Sequence, residues 1–197
     1  MADKRRDPPA PIEFPTVQIK FKDLFDFKEL YMTMFIWLKN EGWKDKTTGE
    51  DLEYMEEFYL EKTGPTGAKD HIIYWEAEKI ASDYFKYTLS IAITTIYLNP
   101  TELMLNGKKV KADVGEIGIK ITAKLHPDYK GAWVNSTFLG PFHDTWLVPT
   151  VLKNEYSVHK AKIYKQLYGF QAEIKRYLKL KQFMSGKEEG FLPEKQM

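Results

Sequence analysis

The sequence predicts an α+β domain: an antiparallel β-sheet of five to seven strands, one helix after the first strand, and a long C-terminal amphipathic helix. Two observations predict it. Apolar residues alternate with polar ones over most of residues 16–125, the period of half-buried strands. Beyond Leu152 the apolar residues step by three and four, the period of a helix. A run of strands followed by a helix indicates α+β rather than a wound parallel sheet.

Residues 1–15 hold four of the ten prolines (Pro8, Pro9, Pro11, Pro15) and no period, so they read as a flexible arm. Val17, Ile19 and Phe21 alternate with Gln18, Lys20 and Lys22 as the first strand. Asp26, three residues before Glu29, is a capping-box-like start for a helix reaching about Glu41. Phe27, Leu30, Tyr31, Met34, Phe35 and Leu38 form its inward stripe; Met32, Ile36 and Trp37 widen the apolar surface. Residues 44–51 read as a polar loop, 52–62 as an acidic strand, 63–67 as a turn and 70–80 as another strand.

The clearest strand signal is Phe85, Tyr87, Leu89, Ile91 and Ile93 between polar or small neighbours, running to Leu98, where Asn99-Pro100 breaks it. Asn106-Gly107 is a hairpin pair. Ile117, Ile119, Ile121, Ala123 and Leu125 form the next inward set, ended by His126-Pro127. Gly115 and Gly118 inside this strand mark a bulge or a close backbone approach. Residues 129–141 connect. Then Leu152, Tyr156, His159, Ile163, Leu167, Phe170, Ile174 and Leu178 form one long stripe, with Gly169 as the place where the helix either bends or continues. The domain therefore spans 16–181, and 182–197 read as a flexible tail.

Composition narrows function. The 29 basic and 28 acidic side chains leave a net charge of +1, so no global surplus draws the chain to nucleic acid and no DNA signature appears. There is no cysteine, hence no disulfide, thiolate nucleophile or cysteine-based metal site, and a cytoplasmic setting is expected. No apolar run is long enough to span a membrane, and the first residues do not read as a secretory signal. His71, His126, His143 and His159 form no spaced metal set, and no phosphate loop or nucleophile elbow occurs. Glu76 and Glu78 share one strand face and read as paired carboxylates or as a solvated face. No catalytic, cofactor-binding or metal residue is assigned, and a non-enzyme is expected.

Charge is segregated. Residues 151–181 carry eight bases and two acids, whereas 41–62 carry eight acids and three bases. Three readings compete: two solvated faces, docking of the acidic pole of one copy on the basic helix of another, or a basic helix on RNA. Lys162, Lys165, Lys175 and Arg176 are the candidate contacts for a polyanion or acidic partner. Trp37, Tyr164, Tyr168 and Tyr177 are the candidate partner-interface rings.

The order strand–helix–strands–long helix is similar to the helix-grip superfamily, and that likeness implies a sheet closed on the last helix around an apolar cavity. The stretches GEIGIKITAKLHPDYKGAW (115–133) and QAEIKRYLKL (171–180) resemble uncharacterised small archaeal α+β proteins, a likeness that implies no function. The expected function is non-enzymatic assembly or interaction, as a homo-oligomer or a structural component of a larger particle, with the chain itself or another protein as partner. A carrier of an apolar ligand and an RNA-binding ribonucleoprotein factor are the alternatives.

Overall fold

The computed structural model describes residues 6–46, 55–105 and 108–184, with backbone alone at 103–105, 108, 110 and 180–184. It is an α+β fold built on one antiparallel seven-stranded sheet. The strands are β1 (Ile12–Glu13), β2 (Val17–Phe25), β3 (Lys44–Asp45), β4 (Glu56–Thr63), β5 (Lys69–Ile80), β6 (Phe85–Leu105) and β7 (Lys108–Pro127). Across the sheet they lie as β2, β7, β6, β5, β4; β1 extends the β2 edge and β3 the β4 edge. Helix α1 (Phe27–Asn40) follows β2, and α2 (Lys153–Met184) ends the described chain. Among the described residues no helix is long and apolar enough to cross a membrane.

The alternation read from the sequence is the alternation of burial. Ile73, Trp75 and Ala77, then Leu89, Ile91 and Ile93, then Ile117, Ile119 and Ile121 face inward. They meet Leu30, Met34 and Leu38 of α1 and Ile163, Leu167, Phe170 and Ile174 of α2 in one core. Each large side chain fully buried there contributes about 1.5–3 kcal/mol. Asp26 caps α1 by accepting the Glu29 N–H at 2.8 Å. The Glu29 carboxylate in turn accepts the Tyr177 hydroxyl at 3.1 Å, tying α2 to the start of α1. Helix α2 runs unbroken through Gly169, where an added Cβ would stand in ordinary contact, 3.4 Å, with the Trp37 indole.

Several expectations need correction. The arm is docked from Arg6 onward. Arg6 donates to the Val134 carbonyl at 2.9 Å and exchanges hydrogen bonds with Asn135, Ile12–Glu13 pairs with β7, and Phe14 is buried. Lys44–Asp45 is a short strand within the expected loop. Asn99-Pro100 does not end β6. The register shifts between Ile96 and Asn99, and the strand continues beside β7 alone, where a proline lacking its N–H is tolerated at a free edge. Gly115 faces that irregularity, and a Cβ there would lie 3.0 Å from both Leu98 Cα and the Tyr97 carbonyl, so the close approach expected at this glycine is real. Asn106-Gly107 falls outside the described residues, between Leu105 and Lys108, which are paired. Between the connection and α2 the chain forms a 3-10 turn (Gly140–Phe142) and a π-helical stretch (His143–Val151) that takes in Pro149. The end of α2 reaches Met184, past the expected boundary at 181; residues 185–197 lie outside the described residues.

Candidate functional site

Helices α1 and α2 pack on one face of the sheet, and among the described residues nothing covers the opposite face. An antiparallel sheet tolerates this when its outer residues suit water. Here they suit it only in part. Strand register places Gln18, Lys120, Ala92 and Tyr74 in one row across the sheet, with Lys20, Gly118, Thr94 and Ile72 in the next. The floor is therefore small: Ser90, Ala92, Thr94, Gly118 and Thr122. Gly118 is not forced by crowding, since an added Cβ would meet nothing nearer than 3.9 Å. Three adjoining hollows of about 620, 260 and 300 Å³ make a trough along this face. Phe58, Tyr74 and Ile96 stand along it 43–47% exposed.

The two rims differ in charge. On the β2–β7 side stand Lys20, Lys22, Lys120 and Lys124, with Glu116 among them; on the β4–β5 side stand Glu57, Glu76 and Glu78, with Lys44, Lys46 and Lys86 beside them. Lys124 pairs with Glu13 at 2.7 Å, and Lys86 with Glu78 at 3.0 Å. Glu76 and Glu78 do not act as a pair, because each holds a different lysine. Glu76 bonds Lys46, which also approaches Glu57 at 3.8 Å. Burial and the Glu76 hydrogen bond push the Glu57 carboxyl above the usual range. Burial pushes Glu76 up too, but its bonds to Lys46 and Glu57 outweigh that and leave it low.

The histidines are held in hydrogen-bonded chains. His143 is fully buried; its Nδ1 donates to Asp144 at 2.7 Å, its Nε2 is hydrogen-bonded to the Tyr84 hydroxyl at 3.0 Å, and that hydroxyl is bonded to the one of Tyr156 at 3.2 Å. Each hydroxyl has its partner, and burial raises the Tyr84 phenol above its ordinary pKa. The Tyr87 hydroxyl is likewise hydrogen-bonded to His159 Nδ1 at 2.6 Å, its own pKa pushed up to about 12 by burial. His71 bonds Thr95 and stacks on Phe27 at 4.8 Å. No metal-holding cluster occurs among the described residues.

Burial, followed by Lys162, lowers the His159 pKa; burial, followed by Lys86, lowers that of His126. A histidine with a depressed folded pKa binds fewer protons folded than unfolded. Its contribution is complete above about pH 6.5 and is lost as the pH falls through the depressed value. The urea midpoint is therefore expected to drop between pH 7.5 and pH 5, and His159→Gln is expected to flatten that drop.

The rings expected at a partner surface separate. Tyr164 and Tyr168 are exposed on α2 and stacked, with centroids 6.1 Å apart and planes 8° apart. Trp37 is half-buried against Phe170 at 5.0 Å. Tyr177 is not on the surface: it is 8% exposed, with its hydroxyl on Asp26 and Glu29. Its position three residues after Ile174 continues the buried stripe, and that spacing is the signal that places it inside. The four basic residues also separate. At about 100° per residue, Lys162, Lys165 and Arg176 share one flank of α2, while Lys175 lies with Tyr164 and Tyr168 on the other. Arg176 pairs with Glu173. The acidic pole lies partly at residues 47–54, outside the described residues, and Asp45 within it is buried.

A second concavity, of about 590 Å³, opens where the end of α1, the β5–β6 turn and the flank of α2 meet. Trp37, Tyr87, His159, Lys162, Lys165 and Gln166 line it. Compared with known proteins, this chain matches no family model, no curated protein and no solved structure.

Proposed function

We propose that the protein is a non-enzymatic assembly module that pairs with a second copy of itself across the open sheet face. The observation that carries this reading is the division of charge across an apolar-edged trough. A two-fold axis lying between two such faces and parallel to the strands sets each basic rim (Lys20, Lys22, Lys120) over the acidic rim of the other copy (Glu57, Glu76). An axis running across the strands sets like charge on like. The contact is thus self-complementary, and charge selects one of its two orientations. The small floor suits the roughly 10 Å spacing of stacked sheets, and stacking covers the exposed Phe58, Tyr74 and Ile96. A chain without cysteine suits the reducing cytoplasm.

The alternative of a carrier with a closed cavity is not favoured, because Phe25, Trp75 and Phe170 pack into the space between sheet and helices.

Light scattering tests the reading. A mass near twice the 23.1 kDa chain is expected at low salt, falling toward the single chain near 1 M salt, where the screening length is about 3 Å. Ala92→Arg, which fills the trough floor, and the double change Lys20→Glu with Lys120→Glu are each expected to give monomers with unchanged melting. A monomer under all conditions, or a dimer untouched by Ala92→Arg, overturns the proposal.

A further inference from the structure

We propose that the cleft between α1, the β5–β6 turn and α2 is a binding site for a small phosphorylated aromatic molecule, of the chemistry of a mononucleotide. The cleft lies on the helix-covered side of the sheet, so this site stands or falls independently of the sheet-face dimer. Three features converge there.

The first is charge. Lys79, Lys162 and Lys165 line the cleft against a single carboxylate residue, Glu41, leaving a surplus of two positive charges. Lys79 is turned onto the Glu41 backbone carbonyl. Lys162 and Lys165 are exposed and make no salt bridge among the described residues. A phosphate monoester carries about −1.5 to −2 at neutral pH, which matches this surplus better than one carboxylate does.

The second is an unmet acceptor. The Gln166 side-chain oxygen is buried without a hydrogen-bond partner, and Gln166 lines the cleft. Buried polar atoms are nearly always paired, and Gln166 lines the cleft, so a turn of its amide brings this acceptor to a donor supplied from outside the chain. The N–H of an exocyclic amine is such a donor.

The third is shape. Trp37, half-buried on Phe170, presents its indole beside Gly169, while Ile80 and Ala81 supply apolar wall. The cleft, at about 590 Å³, lies within the 300–1,000 Å³ of ordinary small-molecule sites. The lysines stand at the exposed mouth and the acceptor is buried. This orders the ligand with its phosphate outward and its ring inward, along Trp37.

Calorimetry with adenosine monophosphate, adenosine, ribose 5-phosphate and inorganic phosphate tests this on the full chain. Adenosine monophosphate is expected to bind, and each of the three fragments to bind at least about tenfold more weakly, since each lacks one of the recognised parts. Lys162→Ala with Lys165→Ala, both surface changes, is expected to weaken adenosine monophosphate by about tenfold or more. Gln166→Leu is expected to weaken adenosine monophosphate while leaving ribose 5-phosphate unchanged. The melting temperature of each variant reports that it is folded. No binding of adenosine monophosphate, binding indifferent to the lysine pair, or equal binding of ribose 5-phosphate or inorganic phosphate overturns the proposal.

Discussion

Trp75→Ala is expected to cost about 3–5 kcal/mol, a large part of the roughly 5–15 kcal/mol that holds a domain folded. Trp75 is fully buried on β5 and meets Tyr31 edge-on at 4.6 Å, so it joins the sheet to α1. Its loss leaves a cavity that the flanking β4 and β6 backbones have little freedom to close. The indole Nε1–H, however, is buried without a partner. A lone buried donor costs about 1–3 kcal/mol. Trp75→Phe keeps most of the ring and removes that donor, so its cost is expected to be less than half that of alanine. Urea unfolding of both variants decides the matter. If phenylalanine is as damaging as alanine, the indole N–H is no liability and the full ring is what this position requires.

Asp128→Ala is expected to cost about 2–4 kcal/mol. Asp128 is fully buried directly after β7, and its carboxylate accepts the Trp133 N–H at 3.1 Å and the Val134 N–H at 2.8 Å. Alanine leaves both donors unpaired, at about 1–3 kcal/mol each before the loop relaxes. The backbone at Asp128 is also left-handed, with φ at 39°, a conformation that asparagine and aspartate accept more readily than alanine. Asparagine keeps one carbonyl acceptor and tolerates that backbone, so Asp128→Asn is expected to cost less than half as much. Asp128→Gly separates the two causes: it relieves the backbone but still strands the N–H groups. If glycine restores full stability, backbone strain is the main cause of the loss; if it behaves like alanine, the missing hydrogen bonds are. The same loop receives Arg6 on Val134 and Asn135, so release of the N-terminal arm to proteases is expected to accompany the loss.

The inward faces were legible because strand and helix periods are local. Ile117 to Leu125 alternate whatever lies beside them, and the stripe from Leu152 to Leu178 needs only 3.6 residues per turn. What was not legible depends on partners distant in sequence. Pro100 looks like a strand end until β6 is seen to have lost β5 beyond Leu98. The arm reads as loose because its anchors, Val134 and Asn135, stand more than 120 residues away. The trough arises from the pairing of β2 with β7, which brings Gln18 and Lys20 beside Lys120 and Gly118. The cleft combines Trp37, Lys79 and Lys162, three residues with no shared local pattern. The basic pole was visible as a count, but its division between two flanks required a helix of known facing. Glu76 and Glu78 looked like a pair because alternation places them on one face; their lysines, Lys46 and Lys86, pull them apart.

The placement of α2 bears on the order of synthesis. All seven strands precede it, so the ribosome releases every residue of the sheet before the helix that covers much of its inner face. Until then Leu89, Ile91, Ile119 and Ile121 lack that cover, and α1 alone shields part of the surface. Nascent chains ending before residue 153 should therefore present a wide apolar sheet, the kind of surface that chaperones retain and that aggregates when they are absent. Helix α2 acts as the closing step in the folding of this domain, and its emergence from the ribosome rather than strand pairing sets when the inner face of the sheet is covered.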